Sequence, residues 1–195
     1  MPNWCDTTYK LVGKESDLRA IKQILDKMRE RNTPIHPNGF GYMWLGELVS
    51  KLGFDWEKYS CRGEITGYSL DDEVLDIYQQ TAWCEQEGVR MAITEKFPDI
   101  TVYIKEEELG CELFRTNDVS GDYFPERYLL VTPEDYYYCE TIEEVARMVA
   151  TLVGPPVDSS FEALRDVIDE HQQKMFDAGE ESDIILLEMD VVKLW

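Results

Sequence analysis

The chain has 195 residues, 44% of them hydrophobic, which is enough to bury a core without disulfide staples. Its 40 acidic residues outnumber 19 basic ones, giving a formal net charge of −21; such a field repels polyanions, so direct binding to nucleic acid or anionic lipid is not expected. The charge is uneven: residues 1–32 hold 7 Lys/Arg and 5 Asp/Glu, leaving 12 basic and 35 acidic residues for 33–195.

No apolar run approaches the roughly 18 to 20 residues of a membrane span. The opening Met1-Pro2-Asn3-Trp4-Cys5-Asp6 does not read as a signal peptide, and the expected location is cytoplasmic. Five cysteines, odd in number and never spaced Cys-x-x-Cys, fit reduced thiols in the cytosol better than a disulfide framework or a zinc knuckle.

In chain order, Thr7–Val12 is β-rich and ends at Gly13, and Ser16 is placed to cap a helix with Leu18, Ile21, Leu25 and Met28 on one face. Residues 32–41 form a Pro/Asn/Gly-rich loop. A short helix then carries Leu45, Leu48, Val49 and Leu52 and stops at Gly53. Arg62–Tyr68 and Val74–Trp83 read as the strands of a hairpin, and Glu85–Phe97 as a helix closed by Pro98. Two further strands follow, at Thr101–Lys105 and Leu113–Phe114. The fold class is therefore α+β, with an order that resembles a ferredoxin-like antiparallel sheet covered by helices on one face. The expected core is 1–125, with the inserted helix near 43–52.

Residues 126–195 are expected as a C-terminal α/β extension packed on the same domain: Tyr128–Val131 can add to the sheet, two helices follow, and Ile184–Trp195 forms a terminal strand. Thr141-x-x-Glu144 and Ser159-x-x-Glu162 each fit a capping box. The second helix carries a stripe of Phe161, Leu164, Ile168, His171 and Met175 that must face something. That stripe, or an added sheet edge, would serve a homodimer or pack within the monomer equally well.

No catalytic residue, cofactor site or metal site is marked. His36 and His171 are the only histidines and form no zinc pattern. Gly-x-Ser-x-Gly, the P-loop and Gly-x-Gly-x-x-Gly are all missing, and the acidic runs lack EF-hand spacing. The aromatics are the stronger signal. Tyr136-Tyr137-Tyr138 cannot direct every ring to one side of a strand, so this run, with the terminal Trp195, is the expected contact surface.

Several blocks resemble a known family: Met1-Pro2-Asn3-Trp4-Cys5, Trp44-Leu45-Gly46, Asp55-Trp56-Glu57-Lys58, Cys61-Arg62-Gly63, Thr81-Ala82-Trp83 and Phe97-Pro98. Together they look like the YubB-type ferredoxin-like family, encoded largely by plasmids, phages and integrated elements, whose activity is undefined. The resemblance covers about residues 1–118. It implies a fold and a bacterial mobile-element setting, with no catalytic residue to carry over. The family's Ser or Thr and two prolines after Thr-Ala-Trp are here Cys84-Glu85-Gln86, which implies a different helix start. The motif residues Trp4, Trp44, Cys61, Arg62, Gly63, Thr81, Ala82 and Trp83 read as structural, with Trp4 and Trp83 at opposite ends of neighbouring sheet elements, locking the hairpin against the helices.

The leading functional expectation is a non-enzymatic protein-interaction module whose partner is another protein. One alternative is an acidic mimic of DNA that occupies a nuclease or repressor. Another is an enzyme with an unmarked site, built on a carboxylate pair or on a Cys61 thiolate activated by Arg62.

Overall fold

The computed structural model describes residues 3–71, 73–154, 158–180 and 182–193. The chain divides into two compact units, one built on the chain up to Asp118 and the other on Val119–Val192. The division falls seven residues before the expected boundary at 125/126.

The first unit begins with β1 (Trp4–Val12), α1 (Glu15–Arg31) and α2 (Leu45–Leu52), followed by the hairpin β2 (Gly63–Asp71) and β3 (Val74–Ala82). It continues through α3 (Glu87–Lys96) to β4 (Thr101–Glu108) and β5 (Leu113–Thr116). Its strands lie in the order β2-β3-β1-β4-β5, and every neighbouring pair is antiparallel. The fold is α+β.

Period-two alternation puts Tyr9, Leu11, Leu75, Ile77, Val102 and Ile104 on one side of this sheet. They join Leu18, Ile21, Leu25 and Met28 of α1, Leu45, Leu48, Val49 and Leu52 of α2, and Val89, Ala92 and Ile93 of α3 in a single buried cluster. All three helices therefore cover the same face. Each fully buried Leu or Ile contributes about 1.5 to 3 kcal/mol relative to exposure.

Two helix starts differ from the sequence expectation. α1 begins at Glu15, so Ser16 lies inside it, and Lys14 is the N-cap without any side-chain cap bond. Its first turn instead carries Glu15 and Asp17, whose charge favours a helix N-terminus. α3 begins at Glu87, two residues later than read, because the Gln86 side chain is bonded to the backbone around it: its Nε2 donates to the carbonyls of Ala82 and Cys84. α2 ends as read, at Gly53 with φ 100°.

In the second unit β6 (Tyr128–Val131) lies between β7 (Tyr136–Cys139) and β8 (Ile185–Glu188), both antiparallel to it. Tyr128–Val131 is thus the centre of a separate three-stranded sheet and not an addition to the first. α4 (Ile142–Val153) and α5 (Phe161–Asp177) supply Val145, Val149, Leu164 and Ile168 to a core shared with Leu130, Cys139 and Leu186. Thr141 and Glu144 form the expected capping box. The box at Ser159–Glu162 does not form: Ser160 is the N-cap, and its Oγ accepts from the Ala163 amide at 3.3 Å, which moves Glu162 out of the N3 position. The expected terminal strand is reduced to β8 and the two-residue β9 (Asp190–Val191), and Trp195 lies outside the described residues.

Candidate functional site

β1 and β3 run antiparallel with Trp4 opposite Ala82, and Gly63 at the start of β2 lies opposite Thr81. The beginning of β1, the end of β3 and the beginning of β2 therefore meet at one end of the sheet. The Trp83 amide donates to the Asn3 carbonyl at 2.9 Å, and the Ala82 amide to the Arg62 carbonyl at 2.9 Å. Trp4, at the start of β1, and Trp83, just past the end of β3, are hence neighbours at one end of the sheet. Neither clamps the helices, since 44% of Trp4 and 48% of Trp83 remain exposed.

The motif glycines are set by close approach. A Cβ on Gly63 would stand 2.3 Å from the Gln80 carbonyl oxygen, and one on Gly46 would stand 2.3 Å from the Trp44 ring. Trp44 is buried, its Nε1 donating to the Cys61 carbonyl at 2.7 Å. Trp56 packs edge-on against it at 4.9 Å between ring centroids. Thr81 joins Thr7 through their hydroxyls at 2.9 Å and donates to the Cys5 carbonyl. Trp44, Cys61, Gly63, Thr81 and Ala82 are buried, whereas Trp4, Trp83 and Arg62 face solvent.

Over this end lies the loop that precedes α2, and it is held from several sides. Glu47 on α2 is fully buried, and its carboxylate accepts from the amides of Ile35 and His36 at 2.5 and 2.8 Å and from Arg31 Nη2 at 2.9 Å. The His36 ring leans on Trp56, and its Nε2 meets Ser50 Oγ at 3.1 Å. Asn38 Oδ1 accepts from the amides of Phe40 and Gly41, while its Nδ2 donates to the carbonyls of His36 and Gly41. Phe40, fixed in this way, meets Trp4 edge-on at 6.1 Å.

The result is an open groove of about 360 Å³ lined by Phe40, Trp44, Trp56, Tyr59 and Arg62, with Glu57 at its rim. Arg62 is exposed and makes no ion pair among the described residues. A larger concavity of about 1200 Å³ lies between α1 and the β2–β3 hairpin, but its cations Lys10, Arg19 and Lys22 are already paired with Asp76, Glu15 and Asp26. The aromatic groove is the candidate site, because its open side carries polarisable faces and a guanidinium that forms no ion pair among the described residues.

For the alternative of an activated thiolate, Cys61 is 7% exposed, and burial pushes its thiol up to about 11, which opposes ionisation. Cys5 is raised to about 11 mainly by burial. Under the N-terminus of α3, Glu85 accepts from the Tyr9 hydroxyl and Arg90 Nε, each at 2.8 Å. Glu106 accepts from the Glu85 amide and from Arg115. These two carboxylates are spent on each other's surroundings. Among the described residues no group of three or more His, Cys, Asp or Glu side chains is arranged to hold a metal ion, and no helix is long and apolar enough to cross a membrane.

The expected tyrosine surface is in the second unit, on edge strand β7: Tyr136 and Tyr138 are exposed, while Tyr137 packs against the core. His171 is half-buried on α5. The sequence reading missed Glu47, Asn38 and Phe40. The signals available were the Asn38-Gly39 pair in a proline-rich loop and a carboxylate set among the apolar residues of a short helix.

No model of a protein family matches the chain, and no curated protein matches it. Among solved structures, a crystal structure of an unknown protein from Galdieria sulphuraria is similar over 96% of this chain and 99% of its own, at 9% identity and a TM-score of 0.26. A likeness that low carries no argument about fold or function.

Proposed function

We propose that this protein is a non-enzymatic protein-interaction module that docks a partner on the aromatic end of its first sheet, and that its first unit is a ferredoxin-like domain. The second part is supported by the strand order β2-β3-β1-β4, antiparallel throughout, with a helix after β1 and another after β3.

The docking reading is carried by Trp83. Its φ is 74°, a left-handed conformation that costs a bulky side chain about 1 to 3 kcal/mol. The strained backbone holds an indole half in water, beside a second exposed indole and an arginine without an ion pair among the described residues. Inside the fold the Trp83 amide bonds the Asn3 carbonyl but its ring stays half in water, and a partner covering the rings would add to that, since tryptophan and arginine dominate binding energy at protein interfaces. The net charge of −21 favours a partner with a basic surface.

The test is quantitative capture with tagged wild-type, Trp83→Asn and Trp4→Ser chains from lysate of cells that express the protein. Asparagine tolerates the left-handed backbone and removes the ring. A partner retained by wild type and depleted at least tenfold by both variants supports the reading. Identical partner lists, or turnover in a broad hydrolase and transferase screen, overturn it.

A further inference from the structure

The groove beside Trp44 is closed to strand addition. β2 is the outermost strand of the first sheet, but near its start the Ile65 amide donates to the Met43 carbonyl at 2.9 Å and Glu64 bridges to Trp44. The backbone that an added strand would pair with is therefore already used by the segment leading into α2. A chain that enters the groove has to be recognised through side chains.

Those side chains offer aromatic faces and donors. Trp56 Nε1 has no hydrogen-bond partner among the described residues and is not buried. The exposed Arg62 guanidinium likewise has none among them. Trp44 spends its own Nε1 on the Cys61 carbonyl, and the Tyr59 hydroxyl donates to Glu95, so both rings are left with their apolar faces. Phe40 adds another face from the loop, where Asn38 Oδ1 holds the Phe40 and Gly41 amides.

Aromatic faces with unspent N–H donors suit a ligand whose backbone supplies acceptors only. Proline has a carbonyl and no N–H. In a polyproline II helix, which rises about 3.1 Å per residue, no carbonyl is used internally, so each is available to a donor. The proline rings pack on aromatic side chains, and the preformed helix has little entropy left to lose on binding. Glu57 at the rim is the one acidic side chain of the lining, and together with the net charge of −21 it favours a basic flank on the bound segment.

We infer that the groove takes a proline-rich segment of the partner in polyproline II conformation, with Trp56 and Arg62 donating to its carbonyls. The inference rests on the reading that the aromatic end docks a protein, and it names what that protein inserts.

The probe is a capped octaproline peptide ending in arginine, added to the full chain and followed by nuclear magnetic resonance. The indole Hε1 signal of Trp56 should move downfield and saturate. Glycine in place of alternate prolines should weaken binding at least fivefold, since it restores chain freedom to the unbound peptide. A terminal glutamate in place of the arginine should weaken it at least threefold, a difference that Glu57→Gln removes. Trp56→Phe keeps a ring and loses the donor, and should bind at least fivefold more weakly with an unchanged melting temperature. Trp83 does not line the groove, so Trp83→Asn should bind the peptide as wild type does. Partner capture that depends on Trp83, with a Trp56 signal that the peptide leaves unmoved, overturns this inference and spares the docking reading; peptide binding at Trp56 without Trp83-dependent capture does the reverse. Equal binding of the glycine-substituted peptide, or no loss in Trp56→Phe, also overturns the inference.

Discussion

The indole Nε1 of Trp44 donates to the Cys61 carbonyl oxygen at 2.7 Å, joining the start of α2 to the segment that leads into β2. Trp56 leans on the same indole from the solvent side, and Gly46 lies directly beneath it. The floor of the groove is therefore a buried, hydrogen-bonded side chain, while Trp4 and Trp83 nearby are half-exposed.

That contrast predicts opposite behaviour from two residues of the same type. Trp44→Ala removes a buried ring and leaves the Cys61 carbonyl without its donor, and should cost about 3 to 5 kcal/mol. Trp83→Asn relieves left-handed strain while losing a half-exposed ring, and should leave stability within about 1 kcal/mol of wild type. Urea unfolding followed by circular dichroism compares them. A loss at Trp83 as large as that at Trp44 would make Trp83 a structural residue and remove the argument for docking.

Glu47 is the keystone of the loop above the groove. Glu47→Ala would strand two amides and the Arg31 guanidinium around a buried void, at a cost of about 3 to 5 kcal/mol. Glu47→Gln keeps an oxygen for the Ile35 and His36 amides and loses the charge on Arg31, so about 1 to 2 kcal/mol is expected. Denaturant midpoints give both numbers, and amide exchange at Ile35 and His36 locates the loss. Equal effects of the two substitutions would mean that the charge, and not the accepting oxygen, organises the loop.

Gln79 offers a gain. It is 2% exposed on β3, and neither its carboxamide nitrogen nor its oxygen has a hydrogen-bond partner among the described residues. An unanswered buried amide costs about 1 to 3 kcal/mol, and Met has nearly the same shape without the polar atoms. Gln79→Met should raise the melting temperature by several degrees. A fall would indicate that the amide is satisfied by internal water in solution.

How far the sequence discloses this molecule follows from what each signal encodes. Leu18, Ile21, Leu25 and Met28 recur at helical spacing and all four are buried, because periodicity is a local consequence of facing a core. Thr141-x-x-Glu144 is equally local and forms as read. Ser16 and Ser159 fail as caps because the neighbouring positions Lys14 and Ser160 win the helix start by one or two residues, which propensity does not resolve. The meeting of Trp4, Trp83 and Arg62 is set by strand register. Buried Glu47 is chosen by amides eleven and twelve residues away in the chain. Neither relationship has a spacing that a sequence pattern could carry.

The buried thiols set the alkaline limit of stability. In the unfolded chain Cys5 and Cys61 ionise near the ordinary value of 9.0, whereas folded they ionise at about 11 because burial penalises the thiolate. A folded value above the unfolded one means that the stability is fully present below pH 9 and is lost as pH rises through about 11. At about 1.4 kcal/mol per pH unit per proton, each thiol accounts for about 2 to 3 kcal/mol across that window. Tyr9, raised well above its usual value by burial, and Tyr68, pushed up to about 12 chiefly by burial, steepen the fall once unfolded tyrosines begin to ionise near pH 10. Denaturant midpoints measured from pH 7 to 11 should therefore stay level to pH 8 and decline beyond pH 9. In a Cys5→Ala, Cys61→Ala chain the decline should be shallower, carried by the tyrosines and by Cys139, whose thiol is likewise raised by burial. The same burial orders chemical reactivity, so iodoacetamide at pH 8 should modify exposed Cys84 and Cys111 well before Cys61. Rapid alkylation of Cys61 in the folded chain, or the same alkaline limb with and without the two thiols, would reinstate that cysteine as a reactive group at the groove.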